Sequence, residues 1–252
     1  MRENYTTDAI NLKSYNLSES DKIILMYSKD KGLIKGVAKG VKKIKSKLGG
    51  RMDSFVANKL LLNKGKNMDT ICQAEAINTF SSLRNNMDKL IYSSYVAEVV
   101  SVFGYENDVN SEEVYNIFYK TLNKIANSQQ KTEILMNVIR YQLKIMSLFG
   151  YELSLLNCVH CGCKVEENSL FSTNMGGVLC ETCAKNYYGL TTFPNKIREF
   201  LCELLKLDIE EKSQYDDLVN ERVCEVCFNL LKNYIQARSE KEFKTVKMLE
   251  MV

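Results

Sequence analysis

The chain has 252 residues, 34 Lys and Arg against 31 Asp and Glu, a net charge of +3 and 45% hydrophobic residues. That is the composition of a globular protein long enough for two cores. No run reaches the roughly eighteen apolar residues of a membrane span, and Met1-Arg2-Glu3-Asn4-Tyr5 lacks the apolar stretch of a secretion leader. Nine cysteines in such a chain point to metal binding in a reducing compartment rather than to disulfides, so a cytoplasmic location is expected.

The first eighty residues read as a small β-barrel. Apolar, β-prone runs occur at Ala9–Leu12, Ile23–Tyr27, Leu33–Val41, Phe55–Leu62 and Thr70–Ile77. Polar turn segments separate them: Ser18-Glu19-Ser20-Asp21, Asp30-Lys31-Gly32, Ser46–Asp53 and Asn63–Asp69. Five short strands in this length suit an OB barrel, although an SH3-like barrel fits the same pattern. Glycines 32, 36 and 40 fall in or beside the third run, where glycine marks a bend or a close approach of another strand.

Charge is unevenly spread. Residues 1–80 hold 15 basic and 8 acidic side chains, a net of +7, and residues 81–252 a net of −4. Residues 31–52 carry eight basic side chains and no acidic one. Lys35, Lys39, Lys42, Lys43, Lys45, Lys47 and Arg51 are the candidate contacts to a polyanion, against the plainer reading of a solvated lysine-rich loop. Tyr15, Tyr27 and Phe55 could stack bases but read equally well as core.

From Phe80 the apolar period becomes helical. One stripe runs from Leu83 to Phe103, a second from Val114 to Ile125 behind a capping box at Asn110 and Glu113, and a third from Ile134 to Ile145. The first and third end alike, in Val102-Phe103-Gly104-Tyr105 and Leu148-Phe149-Gly150-Tyr151. Glycine followed by an apolar residue predicts a Schellman stop at both.

The helices are then interrupted by Cys158-Val159-His160-Cys161 and, eighteen residues later, Cys180-Glu181-Thr182-Cys183. Two C-x2-C pairs at this spacing form a four-thiolate zinc pattern, each pair placing two sulfurs on one side of a tight turn. Gly176-Gly177 supplies a hairpin turn between Leu170–Thr173 and Val178–Leu179. Four thiolates leave no open coordination position, so one zinc ion here is structural. His160 and Cys163 lie close enough to replace a thiolate, with His160 read as an exposed turn residue. Cys224 and Cys227 repeat the C-x2-C spacing, but Cys227 recurs at helical period with Val223, Val226, Leu230, Leu231 and Tyr234, so it reads as a small core residue. Helices resume after Pro194 to Leu207, from about Asp216 to Arg238, and in a short piece at Phe243–Met251. The expected domains are 1–80, a barrel, and 81–252, a helical domain with its zinc insertion at about 155–190. The fold class is therefore α+β.

In sequence order these pieces resemble the bacterial recombination mediator RecO family. The resemblance is carried by Glu19-Ser20-Asp21, by Gly32 through Lys47 with Gly36-Val37-Ala38-Lys39-Gly40-Val41-Lys42-Lys43, and by Cys158 through Cys183 with Phe171-Ser172 and Gly176-Gly177. It implies an N-terminal OB fold, binding of single- and double-stranded DNA, and annealing of complementary strands. It also implies contacts with RecR and with the C-terminal tail of single-stranded-DNA-binding protein, in helping RecA load on coated DNA in recombinational repair, and hence a nucleoid-associated location. Arginines common in the family's basic loop are mostly lysine here, which keeps phosphate attraction and gives up bidentate geometry. Cys163, Cys224 and Cys227 lie outside the family pattern.

No catalytic signature competes. Gly65-Lys66 is followed by Asn67, so no phosphate-binding loop is present, and the single histidine sits inside a cysteine knuckle. The chain is expected not to be an enzyme. The alternatives are a zinc-ribbon adaptor that binds proteins without nucleic-acid affinity, and a hydrolase using unrecognised carboxylates.

Overall fold

The structure, a computed structural model, describes residues 3–66, 68–165, 169–215 and 219–249. It divides into two compact units, residues 1–127 with 245–252, and residues 128–244.

In the first unit, β1 (Asn4–Asn16), β2 (Lys22–Ser28), β3 (Gly32–Ala38), β4 (Ala57–Asn63) and β5 (Asp69–Asn78) follow the five apolar runs. They close in the order β1-β2-β3-β5-β4, with β1 also paired to β4. All pairings are antiparallel except β3 with β5, where Gly36 faces Asp69 and Val37 faces Thr70. Alternation puts Ile24, Met26, Ile34, Ala38, Leu60, Leu62 and Ile71 in one core, while Lys35 on β3 faces solvent. Gly36 sits where a Cβ would lie 2.8 Å from Ile71 Cγ1, so the close approach read from the sequence is real. The third run is shorter than expected: β3 ends at Ala38, and Gly40 (φ 63°) turns the chain away.

Helices α1 (Met87–Phe103) and α2 (Ser111–Asn127) pack in this unit. Asn86 caps α1 by accepting from the Lys89 N–H at 3.0 Å. The Asn110 carbonyl accepts the first α2 bond, from Val114. The buried Tyr27 hydroxyl donates to the equally buried Asp108 carboxylate at 2.8 Å, pinning β2 to the turn before α2. The C-terminal helix α7 (Lys244–Leu249) also reaches α1: the Thr245 N–H and hydroxyl both donate to Glu98 Oε2, at 2.8 and 2.6 Å.

The two look-alike helix ends differ. At Gly150 (φ 81°) the Tyr151 N–H donates to the Met146 carbonyl and the Gly150 N–H to that of Ser147, a complete Schellman motif. Gly104 is no such stop: its backbone is extended (φ −67°, ψ 148°). Glycine is needed there because a Cβ would lie 2.6 Å from the Val100 carbonyl and 3.0 Å from the Tyr27 ring.

The second unit is built on α3 (Lys131–Leu148), which packs against α5 (Asn195–Lys206) and α6 (Glu221–Arg238). Pro194 takes the position just before α5 and Asn220 caps α6; Asp216–Leu218, where the last long helix was expected to begin, lie outside the described residues. Cys227 is fully buried in α6, the core role its spacing suggested, and Cys224 is fully buried beside it. Between α3 and α5 lie β6 (Ser169–Ser172), β7 (Gly177–Leu179), the short helix α4 (Glu181–Ala184) and β8 (Thr191–Phe193). The three strands form one sheet in the order β7-β6-β8. No described helix is long and apolar enough to cross a membrane.

Candidate metal centre and nucleic-acid interface

The first cysteine knuckle folds by backbone bonds. Asn157 bridges Lys164, the Cys158 N–H donates to the Cys163 carbonyl at 2.8 Å, and the Gly162 N–H donates back to the Cys158 carbonyl at 2.8 Å. Gly162, at φ 75°, completes the reversal. The second pair begins where β7 ends: Cys180 caps α4, and Cys183 lies in its single turn. The Val159 N–H donates to the Val178 carbonyl at 2.9 Å, which joins the knuckle to β7. The β6–β7 hairpin turns at Gly176 as expected. Buried Arg198 on α5 donates to the Val165 carbonyl just beyond the first knuckle and to Asn195 Oδ1.

These turns bring Cys158, Cys161, Cys180 and Cys183 together, with all four sulfurs within 4.8 Å of one another. Cys161 and Cys180 sulfurs are 3.8 Å apart. Thiolates bound at about 2.3 Å around a tetrahedral ion stand about 3.8 Å apart, so the cluster fits zinc in spacing and in donor type. Burial pushes the Cys158 thiol up, but the N–H groups of Cys161, Cys180 and His160 outweigh it and bring the thiol down to about 6. The Cys183 N–H likewise lowers Cys180. Burial, then hydrogen bonds to its neighbours, raises Cys183. A divalent cation bound among these sulfurs would hold all four as thiolates. His160 is exposed, and its Nδ1 lies 2.7 Å from the Tyr187 hydroxyl.

In the first unit all seven candidate basic residues are exposed. Lys35 projects from β3, Lys39 follows it, and the other five occupy the connection to β4. That connection is fastened at its start. The Asp21 carboxylate accepts the Gly40 N–H at 2.7 Å, the Lys42 N–H reaches the Ser20 carbonyl at 3.1 Å, and Lys42 Nζ reaches the Ser18 carbonyl at 3.0 Å. The Gly40 N–H, followed by the Ser20 hydroxyl, holds the Asp21 carboxyl below the usual carboxylate range. At its far end Arg51 Nη1 donates to the Lys47 carbonyl, and the buried Asn11 amide donates to the Arg51 carbonyl at 2.8 Å. Among the described residues none of the seven makes an ion pair, and Lys35, Lys39, Lys43, Lys45 and Lys47 make no side-chain hydrogen bond. Lys59 on β4 lies opposite Asp8 and Glu75 in register, so unlike the loop it has a carboxylate-bearing residue on each neighbouring strand. Ile44 stands fully exposed among the lysines. Of the three aromatic candidates only Tyr15 is exposed, with Lys13 over its ring at 5.8 Å; Tyr27 and Phe55 are core.

Sequence reasoning missed β8 and the Asp21 staple, whereas Cys163, singled out there as close to the ligand set, has its sulfur 3.3 Å from that of Cys161. Asp21 was visible only as a turn residue, since its partner Gly40 is remote in sequence.

Two family models match the chain: recombination protein O N terminal over residues 1–80, and recombination protein O C terminal over residues 84–247. Among curated proteins, the DNA repair protein RecO of Desulforamulus reducens is 29% identical over 98% of this chain and 94% of its own length. That of Pelotomaculum thermopropionicum is 30% identical over 98% and 93%. RecO of Trichodesmium erythraeum is 39% identical over 53% of this chain and 46% of its own length.

Proposed function

The chain belongs to the RecO family of DNA repair proteins, and from that premise we propose that it is a DNA-binding recombination mediator that anneals complementary strands. The observation that carries the reading is the exposed run of cations from Lys35 to Arg51, none of them in an ion pair among the described residues, on one strand and loop of a five-stranded barrel. Annealing needs phosphate repulsion offset and bases left accessible, because the pairing energy lies in the DNA. Lysines that neutralise phosphates without reading bases suit that task. The closed order with a parallel β3–β5 contact supports reading residues 1–80 as an OB fold and the DNA-binding domain.

In this account residues 81–252, with their net negative charge, carry the protein contacts, to RecR and to the tail of single-stranded-DNA-binding protein. A cavity of about 400 Å³ in the second unit has apolar walls of Leu153, Leu155, Leu156 and Leu205, with Lys206 and Glu152 both in its lining. The apolar walls and the one cation are what an apolar tail with acidic residues would use, the cation being partly offset by Glu152. Zinc is the ion we assign to the four cysteines, as a structural element. The protein is not an enzyme and works in the cytoplasm, at the nucleoid, helping RecA load on coated single strands.

Mixing the protein with two complementary labelled oligonucleotides tests the reading. Accelerated duplex formation supports it. No acceleration favours the zinc-ribbon adaptor, and divalent-metal-dependent degradation of the strands would indicate a hydrolase.

A further inference from the structure

The metal centre has one thiol more than a tetrahedron requires. Cys163 lies two residues beyond Cys161, and its Sγ is 3.3 Å from the Cys161 Sγ, which itself is 3.8 Å from the Cys180 Sγ. These contacts fall on the open side of the cluster. Cys161 and Cys163 are exposed and Cys180 is half-buried, while Cys158 and Cys183 are buried. The position is built by the knuckle, because the Cys163 carbonyl accepts the Cys158 N–H and the turn at Gly162 folds the chain back. The other potential donor, His160, is held by the Tyr187 hydroxyl and packs edge-on against that ring.

We propose that Cys163 is a reserve ligand, able to take the coordination position of Cys161, so that the centre has two alternative four-thiolate sets sharing Cys158, Cys180 and Cys183. The proposal rests on the zinc reading above. Two sulfurs 3.3 Å apart on one side of the cluster compete for a single vertex. Four thiolates already give a divalent ion a net charge of −2, so the sulfur outside the set stays a thiol. In an exchange the metal–sulfur bond to Cys161 breaks and one to Cys163 forms. The Cys163 proton passes to the Cys161 sulfur, leaving charge and proton count unchanged. Cys163 stands outside the set of sulfurs that lie within 4.8 Å of one another, so the exchange moves its own exposed segment toward the vertex while the buried pair keeps its place. The consequence is that damage to either exposed thiol leaves a complete four-thiolate site.

The test uses the full chain and metal alone, with zinc content by mass spectrometry and thiolate-to-metal charge-transfer absorption of the cobalt(II) form. Wild type and Cys163→Ala should each hold one equivalent. Cys161→Ala should also hold one, with the absorption of four thiolates, and Cys161→Ala/Cys163→Ala should lose it. If Cys161→Ala loses metal as completely as the double variant, the reserve role is wrong while the zinc reading stands; if both retain it, the reserve role and the four-thiolate set are both wrong. Failure of wild type to bind would instead remove the zinc reading itself. Limited alkylation of zinc-loaded wild type needs no variant to fold. Singly modified protein should carry the label on Cys161 in some molecules and Cys163 in others, with zinc kept. Label on Cys163 alone, or zinc release at the first modification, would overturn the proposal.

Discussion

Replacing Lys43 and Lys45 with alanine should weaken binding to single-stranded DNA and flatten its dependence on salt by a calculable amount. Lys42 and Arg51 already donate to backbone carbonyls, which leaves Lys35, Lys39, Lys43, Lys45 and Lys47 as the freely available cations. Five phosphate contacts on a single strand give a slope of log K against log salt of about −3.5. Between 50 and 200 mM salt the wild-type affinity should therefore fall about 130-fold. Three remaining contacts give a slope of about −2.1 and a fall of about 18-fold. Fluorescence anisotropy with a labelled strand across that salt range measures both. The loss should be alike for different base sequences, because phosphate contacts carry no sequence information. Lys59→Ala, with Asp8 and Glu75 opposite it, is the control and should leave the slope unchanged. A double variant with the wild-type slope, or a Lys59→Ala effect of equal size, would refute the assignment of the loop.

Other outcomes follow from the same geometry. Because Asp21 is depressed below its ordinary value of 3.8, its staple to Gly40 is complete above that value and is lost only as pH falls through the lowered one. A Gly40 amide titration with a midpoint at or above 3.8 would contradict this, and Asp21→Asn should be less stable than wild type at neutral pH with the gap narrowing in acid. Cys183→Ala should lose the bound zinc and lower the thermal unfolding temperature, since metal binding is coupled to folding of the insertion; full zinc retention would sink the four-thiolate set. Gly150→Ala should cost about 1 kcal/mol through its positive φ, and Gly150→Asn should recover most of that. At Gly104 the obstacle is steric, so Ala should cost about 1–3 kcal/mol and Asn at least as much; equal rescue by Asn at both sites in thermal melts would show the two helix ends to be alike.

Much of this was legible because it is local. Apolar, β-prone runs between polar turn segments announced all five barrel strands, and the cysteine spacing announced a cluster whose sulfurs do converge. What escaped depends on remote neighbours. The helix ends at Gly104 and Gly150 share the pattern Phe-Gly-Tyr-Glu, yet only the second is a Schellman turn. The first keeps glycine because a Cβ would meet the Val100 carbonyl and the ring of Tyr27, the latter far away in the chain. Thr191–Phe193 becomes a strand through pairing with Ser169–Phe171, a contact with no local signal. The change from strand to helix near residue 80 is plain in the sequence, but the compact units divide after Asn127. The first two long helices pack beside the barrel, and periodicity is blind to such packing.

The central claim is that DNA lies along the strand and loop from Lys35 to Arg51. Hydrogen–deuterium exchange of the intact protein, with and without a mixed-sequence single strand, tests it most directly. DNA should slow exchange in peptides spanning residues 35–51 and in the Ser18–Asp21 turn fastened to them. Protection confined to residues 128–244, with the loop unchanged at saturating DNA, would contradict the account.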